Sequence, residues 1–345
     1  MLSRLLGSRP APPPPAPTPP PPPVPPPPDD TPALMQPRVL MIVYNPVVDA
    51  AGNKLIQTLG WRDPDQLAAG YIADVKECSA GFVDYQIVER IEADELPVKK
   101  DGFQYAPSDF VGFYRAGSGF HDPDAVDYEA IVAKFNLLQR IANNEIDEVW
   151  LFGGPYFGFY ESTMAGAGAF WCNAPPVPNT ANCPRRFVIM GFNYERGVGE
   201  MLEDLGHRTE SVLAHLFRSD AAIGRAYNSS AAPIVQSANL FERFITYDRT
   251  APGRANVGVL HFAPNSVADY DWGNATRVQS CADDWLLFPN LPDPPNLRAV
   301  DCGDWGNGDI REHHKWWFKR LPKAPGVTDG VSNNWWQFTI DVNRA

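Results

Sequence analysis

Arg186-Phe-Val-Ile-Met-Gly-Phe192 runs through Asn193-Tyr-Glu-Arg-Gly197 into Val198-Gly-Glu-Met-Leu-Glu-Asp-Leu-Gly-His-Arg-Thr-Glu-Ser-Val-Leu-Ala-His-Leu-Phe217. The first segment is a short, nearly continuous apolar run, the pattern of a strand buried on both faces of a parallel sheet. The last carries Val198, Met201, Leu202, Leu205, Val212, Leu213 and Leu216 at helical spacing. The same alternation recurs upstream. Arg38–Tyr44 and Glu148–Phe152 read as buried strands and Val83–Arg90 as an alternating one, while Leu67–Cys78 and Tyr128–Asn143 have helical periodicity. Strands alternating with helices of this length predict an α/β domain with a mostly parallel sheet flanked by helices.

This core is expected over residues 37–220, preceded by a disordered or polyproline II linker over 1–36. Fifteen of the 36 prolines lie between Pro10 and Pro28, a tract that reads as a stiff spacer. Residues 221–345 have another texture, rich in Gly, Pro, Asn and Trp, with seven of the ten tryptophans at or after Trp272. They read as an irregular extension packed on the core, or a small second domain.

The 345 residues are 44% hydrophobic and 20% charged, enough to bury a large core, which excludes a wholly disordered chain and a scaffold held by disulfides alone. A net charge of −12 argues against a non-specific grip on nucleic acid or an anionic membrane. No apolar run approaches the roughly 18–20 residues of a membrane span. Met1–Arg9 does not read as an intact signal peptide, because it lacks an apolar stretch of about 7–15 residues. Cys172 and Cys183 bracket one loop and Cys281 and Cys302 another, which predicts two local disulfides and an odd Cys78, and with the proline tract an extracellular or cell-surface setting.

In open α/β sheets ligands bind beyond the carboxyl ends of the strands. Asn45, the Gly153–Tyr156 turn leading to Glu161, and Asn193 with Glu195 occupy such positions. On the long helix, Glu200, Glu203, His207 and Glu210 fall on one face. Glu203 and His207, four apart, can offer two ligands to one metal, although a solvated charged face has the same spacing. Gly206, costly inside a helix, predicts either close backbone approach by another segment or a helix end at this point. His261 follows Val257–Leu260, read as a short strand, and is the best distant partner for His207. In His313-His314 only one ring is expected to face inward. Gly-x-Ser-x-Gly and the phosphate-cradling glycine motifs are missing, which disfavours a serine hydrolase elbow or a nucleotide fold.

These placements predict a secreted hydrolase of an extracellular polymer, a polysaccharide or peptidoglycan-like glycan rather than a peptide. In its metal-assisted form a divalent ion, zinc first, is held by His207, His261 and one of Glu203 or Glu210, while Glu161 or Glu195 moves the proton. Without metal, Glu161 and Glu195 take acid and base roles, which requires them about 5–9.5 Å apart. Asn45, Tyr156 and Asn193, with Trp316 and Trp317 as sugar-stacking faces, are the expected substrate contacts. The alternative is a non-catalytic surface protein that binds carbohydrate through its tryptophans, or a scaffold.

Overall fold

The structure, a computed structural model, describes residues 33–228 and 236–345; the proline tract lies outside the described residues. Five strands, β1 (Arg38–Tyr44), β2 (Gln86–Ala93), β3 (Glu148–Gly153), β4 (Ser162–Ala165) and β5 (Phe187–Asn193), form one sheet in the order β2-β1-β3-β5-β4. The pairings β1–β2, β1–β3 and β3–β5 are parallel, and β4 lies antiparallel on β5. The sheet is mixed and mostly parallel, and with its flanking helices it is an α/β architecture.

Successive residues of a strand point to opposite faces, so each apolar run fills two cores at once. Val39, Met41, Val43, Trp150, Phe152, Met190 and Phe192 enter one core, and Leu40, Ile42, Val149, Leu151 and Ile189 the other. The short helix α1 (Leu55–Leu59) follows β1, and α2 (Pro64–Cys78) then covers the first face. The second face is covered by α3 (Pro107–Ala116), α4 (Tyr128–Lys134) and α5 (Leu137–Ala142). Asn136, in the left-handed region at φ 51°, divides what the periodicity presented as one helix into α4 and α5. The second strand begins three residues later than its alternation suggests. Val83 and Tyr85 are buried ahead of it, whereas β2 itself is a largely exposed edge.

The helix α6 (Val198–Phe217) spans the residues its periodicity implied, passing through Gly206 without a break. On its sheet side Arg208 meets Glu148 at 2.7 Å, a fully buried ion pair that Trp150 completes by donating to Glu148 Oε1 at 2.8 Å. α7 (Asp220–Tyr227) follows directly, and α8 (Leu240–Phe244), α9 (Ile310–Arg320) and α10 (Trp336–Ile340) come from the last third of the chain. Two short antiparallel ladders, Val278–Ser280 with Arg298–Val300 and Lys323–Thr328 with Val331–Asn334, complete it. Apolar residues from Phe241 to Val342 join the first core, so this part of the chain packs on the face that α2 and α6 cover. Val257–Leu260 is not a strand: it is an irregular segment laid against α6.

Two further expectations are corrected by packing. All five cysteines are free thiols. Cys172 and Cys183 belong to cores on opposite sides of the sheet, and Cys302 contacts the Asn307 amide oxygen while Cys281 lies against Asn256. His313 and His314 are both fully buried, because α9 is covered on more than one side. Among the described residues, no helix is long and apolar enough to cross a membrane.

Candidate metal centre

Three side chains converge where α6 meets the irregular 257–263 segment. A Cβ placed on Gly206 would come 2.3 Å from Leu260 Cδ2, so only glycine lets this segment lie so close to the helix. The close approach has two results. The Leu260 amide donates to Glu210 Oε1 at 2.8 Å, and the His261 ring is brought over His207, with Nε2 to Nε2 at 2.9 Å. Glu203 Oε1 lies 2.9 Å from His261 Nε2 and 3.9 Å from His207 Nε2. Zinc ligated at about 2.0–2.2 Å in a tetrahedron puts neighbouring ligand atoms about 3.3 Å apart, and this triangle brackets that spacing.

The groups behind the triangle decide what it can hold. His207 Nδ1 faces Glu210 Oε2 at 3.2 Å, and His261 Nδ1 faces Asp269 Oδ1 at 3.0 Å. A carboxylate fixes the proton on each Nδ1, so each Nε2 is left as a lone pair pointing at the other and at a carboxylate oxygen. A metal ion between them would satisfy these acceptors, and so would a proton on one Nε2, donated across the 2.9 Å His207–His261 contact. Tyr227 donates to Glu210 Oε2 at 2.6 Å and Tyr270 to Glu203 Oε1 at 2.8 Å, fixing both carboxylates. Burial by itself would lower His207, yet the hydrogen bond and charge of Glu210, with Glu161 and Glu203 beyond, outweigh it and raise the imidazole above its ordinary value. Burial would raise Glu203, but His261 and Tyr270 hold its carboxyl down to about 2, so it stays ionised. Among the described residues, Glu203, His207 and His261 are the one group of three metal-ligating side chains whose ligand atoms all lie within 4.8 Å of one another.

On the acidic face it is thus Glu203 that is placed to offer a ligand atom, while Glu210 lies behind His207 at its Nδ1. His207 and His261 open onto a cavity of ≈ 570 Å³ that Glu161, Asn173, Tyr160 and Trp171 also line. Asn173 donates its side-chain amide to Glu161 Oε2, fixing one carboxylate oxygen. Glu195 is elsewhere: it is exposed, accepts the Tyr114 hydroxyl, and lines neither of the two cavities that Glu161 lines.

Asn45 is nearly buried, and its Oδ1 accepts the Ile56 amide at 3.0 Å at the start of α1. Tyr156 and Asn193 do line a cavity at the carboxyl ends of β3 and β5. Trp316 and Trp317 are buried, as are the five other tryptophans from Trp272 onward. Their rings pack in the core because this part of the chain has little regular structure to fill it, and none presents a face to solvent. Among the tryptophans the exposed one is Trp171, 59% exposed on the cavity rim. Cys78 is no nucleophile, since burial pushes its thiol up to about 12. Sequence reading did not find Asp269, Tyr227 or Tyr270 as parts of the site, because they come from segments without a shared period.

No protein-family model, no curated protein and no solved structure matches this chain.

Proposed function

We propose that the chain is a metal-assisted hydrolase of a glycan, with Glu203, His207 and His261 holding a divalent ion, zinc first. The observation that carries this reading is the pair of imidazoles whose Nδ1 atoms are each backed by a carboxylate while both Nε2 atoms face Glu203. A metal there supplies a Lewis acid and lowers the pKa of water. Glu161, on the wall of the same cavity, takes the proton from the attacking water and returns it to the leaving group, with Asn173 holding its other oxygen. The open cavity and the exposed Trp171 on its rim suit a ring-bearing polymer better than a small charged metabolite.

A secreted or cell-surface location belongs to this proposal and rests on the proline tract; the free thiols lend it no support. A second reading, non-catalytic carbohydrate binding, now draws on Trp171 and Tyr160 in place of the buried tryptophans. Elemental analysis of the full chain after dialysis against metal-free buffer separates the two. About one equivalent of zinc, iron or manganese, lost in His207→Ala, is expected of the hydrolase. A protein that takes up no metal even when it is added back is not one.

A further inference from the structure

A second cavity, of ≈ 230 Å³, opens beyond the carboxyl ends of β3 and β5 and shares Glu161 with the metal-centre cavity. Asp204 and Glu200, from the first half of α6, line it together with Glu161. Asp204 is 8% exposed and forms no hydrogen bond or ion pair with any described residue. A carboxyl buried to that degree ordinarily has a donor, so its partner is sought in the cavity it faces. Glu200 uses one oxygen on the Gly197 amide, at 2.9 Å, and Glu161 takes the Asn173 amide. Arg196 is the cavity's cationic side chain, and it is exposed. Of the four carboxyl groups that line it, Asp124 is paired with Lys99, and the other three against one exposed guanidinium favour positive charge.

Among the described residues no second group of three ligand atoms converges as Glu203, His207 and His261 do, which disfavours a second metal here. A substrate ammonium fits better, since one buried carboxyl with a single further acceptor is enough to hold it, its remaining N–H donors facing the open cavity. The neighbouring surface indicates what carries it. Tyr156, 44% exposed, stacks on Phe120 at 3.5 Å between centroids beside this cavity. Tyr160, 42% exposed, lies parallel to Tyr128 beside the other. Flat aromatic faces braced from behind next to both cavities are the surfaces on which sugar rings stack.

We propose that the smaller cavity binds the protonated amine of an unacetylated amino sugar, in a glycan whose scissile bond reaches the metal centre. The amine subsite stands on its own geometry, and the position of the scissile bond rests on the hydrolase reading above. The test is calorimetric titration of the metal-stripped full chain with a β-1,4-linked glucosamine tetramer, its fully N-acetylated counterpart, and tri-alanine, below the amine pKa. The glucosamine tetramer is expected to bind about tenfold more tightly than the acetylated one. Asp204→Asn and Glu200→Gln should each remove most of that preference and leave binding of the acetylated tetramer unchanged, with thermal melts confirming that both variants fold. Equal affinity for the two tetramers, no binding of either, or a preference that survives both substitutions overturns the proposal. Tri-alanine binding as tightly as the glucosamine tetramer, through Asp204, overturns the sugar assignment in favour of a peptide N-terminus. Because titration is done without metal, failure to find zinc would remove the hydrolase reading and leave this result standing.

Discussion

Asp269 receives Nδ1 of His261 at 3.0 Å and Glu210 receives Nδ1 of His207 at 3.2 Å, so each imidazole is held in the tautomer that leaves Nε2 free. The two carboxylates differ in setting. Glu210 is buried and further fixed by Tyr227 and the Leu260 amide, whereas the Asp269 side chain is 57% exposed and can be changed without opening the core. Asp269→Asn keeps the shape and removes the charge that fixes the His261 proton. Zinc affinity is expected to fall about 10–100-fold with the melting temperature of the metal-free protein unchanged, as read by competition with a chelating dye. Unaltered affinity would mean that Asp269 is a bystander on the rim.

At the level of elements, the site depends on how closely an irregular segment can lie on α6. Gly206→Ala tests this, because it brings two opposed effects to one position. Alanine favours the helix by about 1 kcal/mol, but its Cβ would press into the buried Leu260, and such overpacking costs about 1–3 kcal/mol. The net expectation is a protein less stable by about 0–2 kcal/mol, with helical content retained and zinc bound more weakly as His261 is pushed off His207. Urea unfolding followed by circular dichroism gives the first quantity and metal titration the second. A variant as stable as the parent, with the same zinc affinity, would show that the close approach is not required.

For the molecule as a whole, the buried histidine pair on α9 sets a limit on acid stability. His313 has neither ring nitrogen bonded, while His314 Nδ1 donates to the Gly199 carbonyl at 3.0 Å. Burial is the main cause that lowers both, His314 to about 4 and His313 well below its ordinary value. The unfolded chain therefore binds protons below about pH 6.5 that the folded chain refuses, and stability falls as pH drops from 6.5 toward 4, at most about 1.4 kcal/mol per unit for each ring. Above 6.5 the pair contributes nothing further. His207, raised in the metal-free protein, works in the opposite sense, stabilising at low pH and less so as pH rises through its folded value. The expected net result is a melting temperature that declines between pH 6.5 and 4.5 and declines less in His313→Phe. Parallel profiles for the two proteins would remove the histidine pair as the cause.

How much of this was legible in the sequence depends on whether a period governs the residue. The buried strands β1, β3 and β5 and the full span of α6 were readable, because an apolar run or a 3.6-residue stripe reports burial directly. The acidic face with His207 was readable for the same reason, whereas Gly206 read equally as a close contact or a helix end, and packing against Leu260 decided for the contact. What the tertiary structure alone decided lies across segments that share no period: the placing of His261 and Asp269 beside α6, the 2.9 Å approach of Glu203 to His261, and the pairing of Glu195 with Tyr114. It also decided that the late tryptophans turn inward, since in a stretch with little regular structure no spacing tells an inward ring from an outward one. Local periodicity encodes which face of an element is buried, whereas which faces meet is settled by packing over the whole chain.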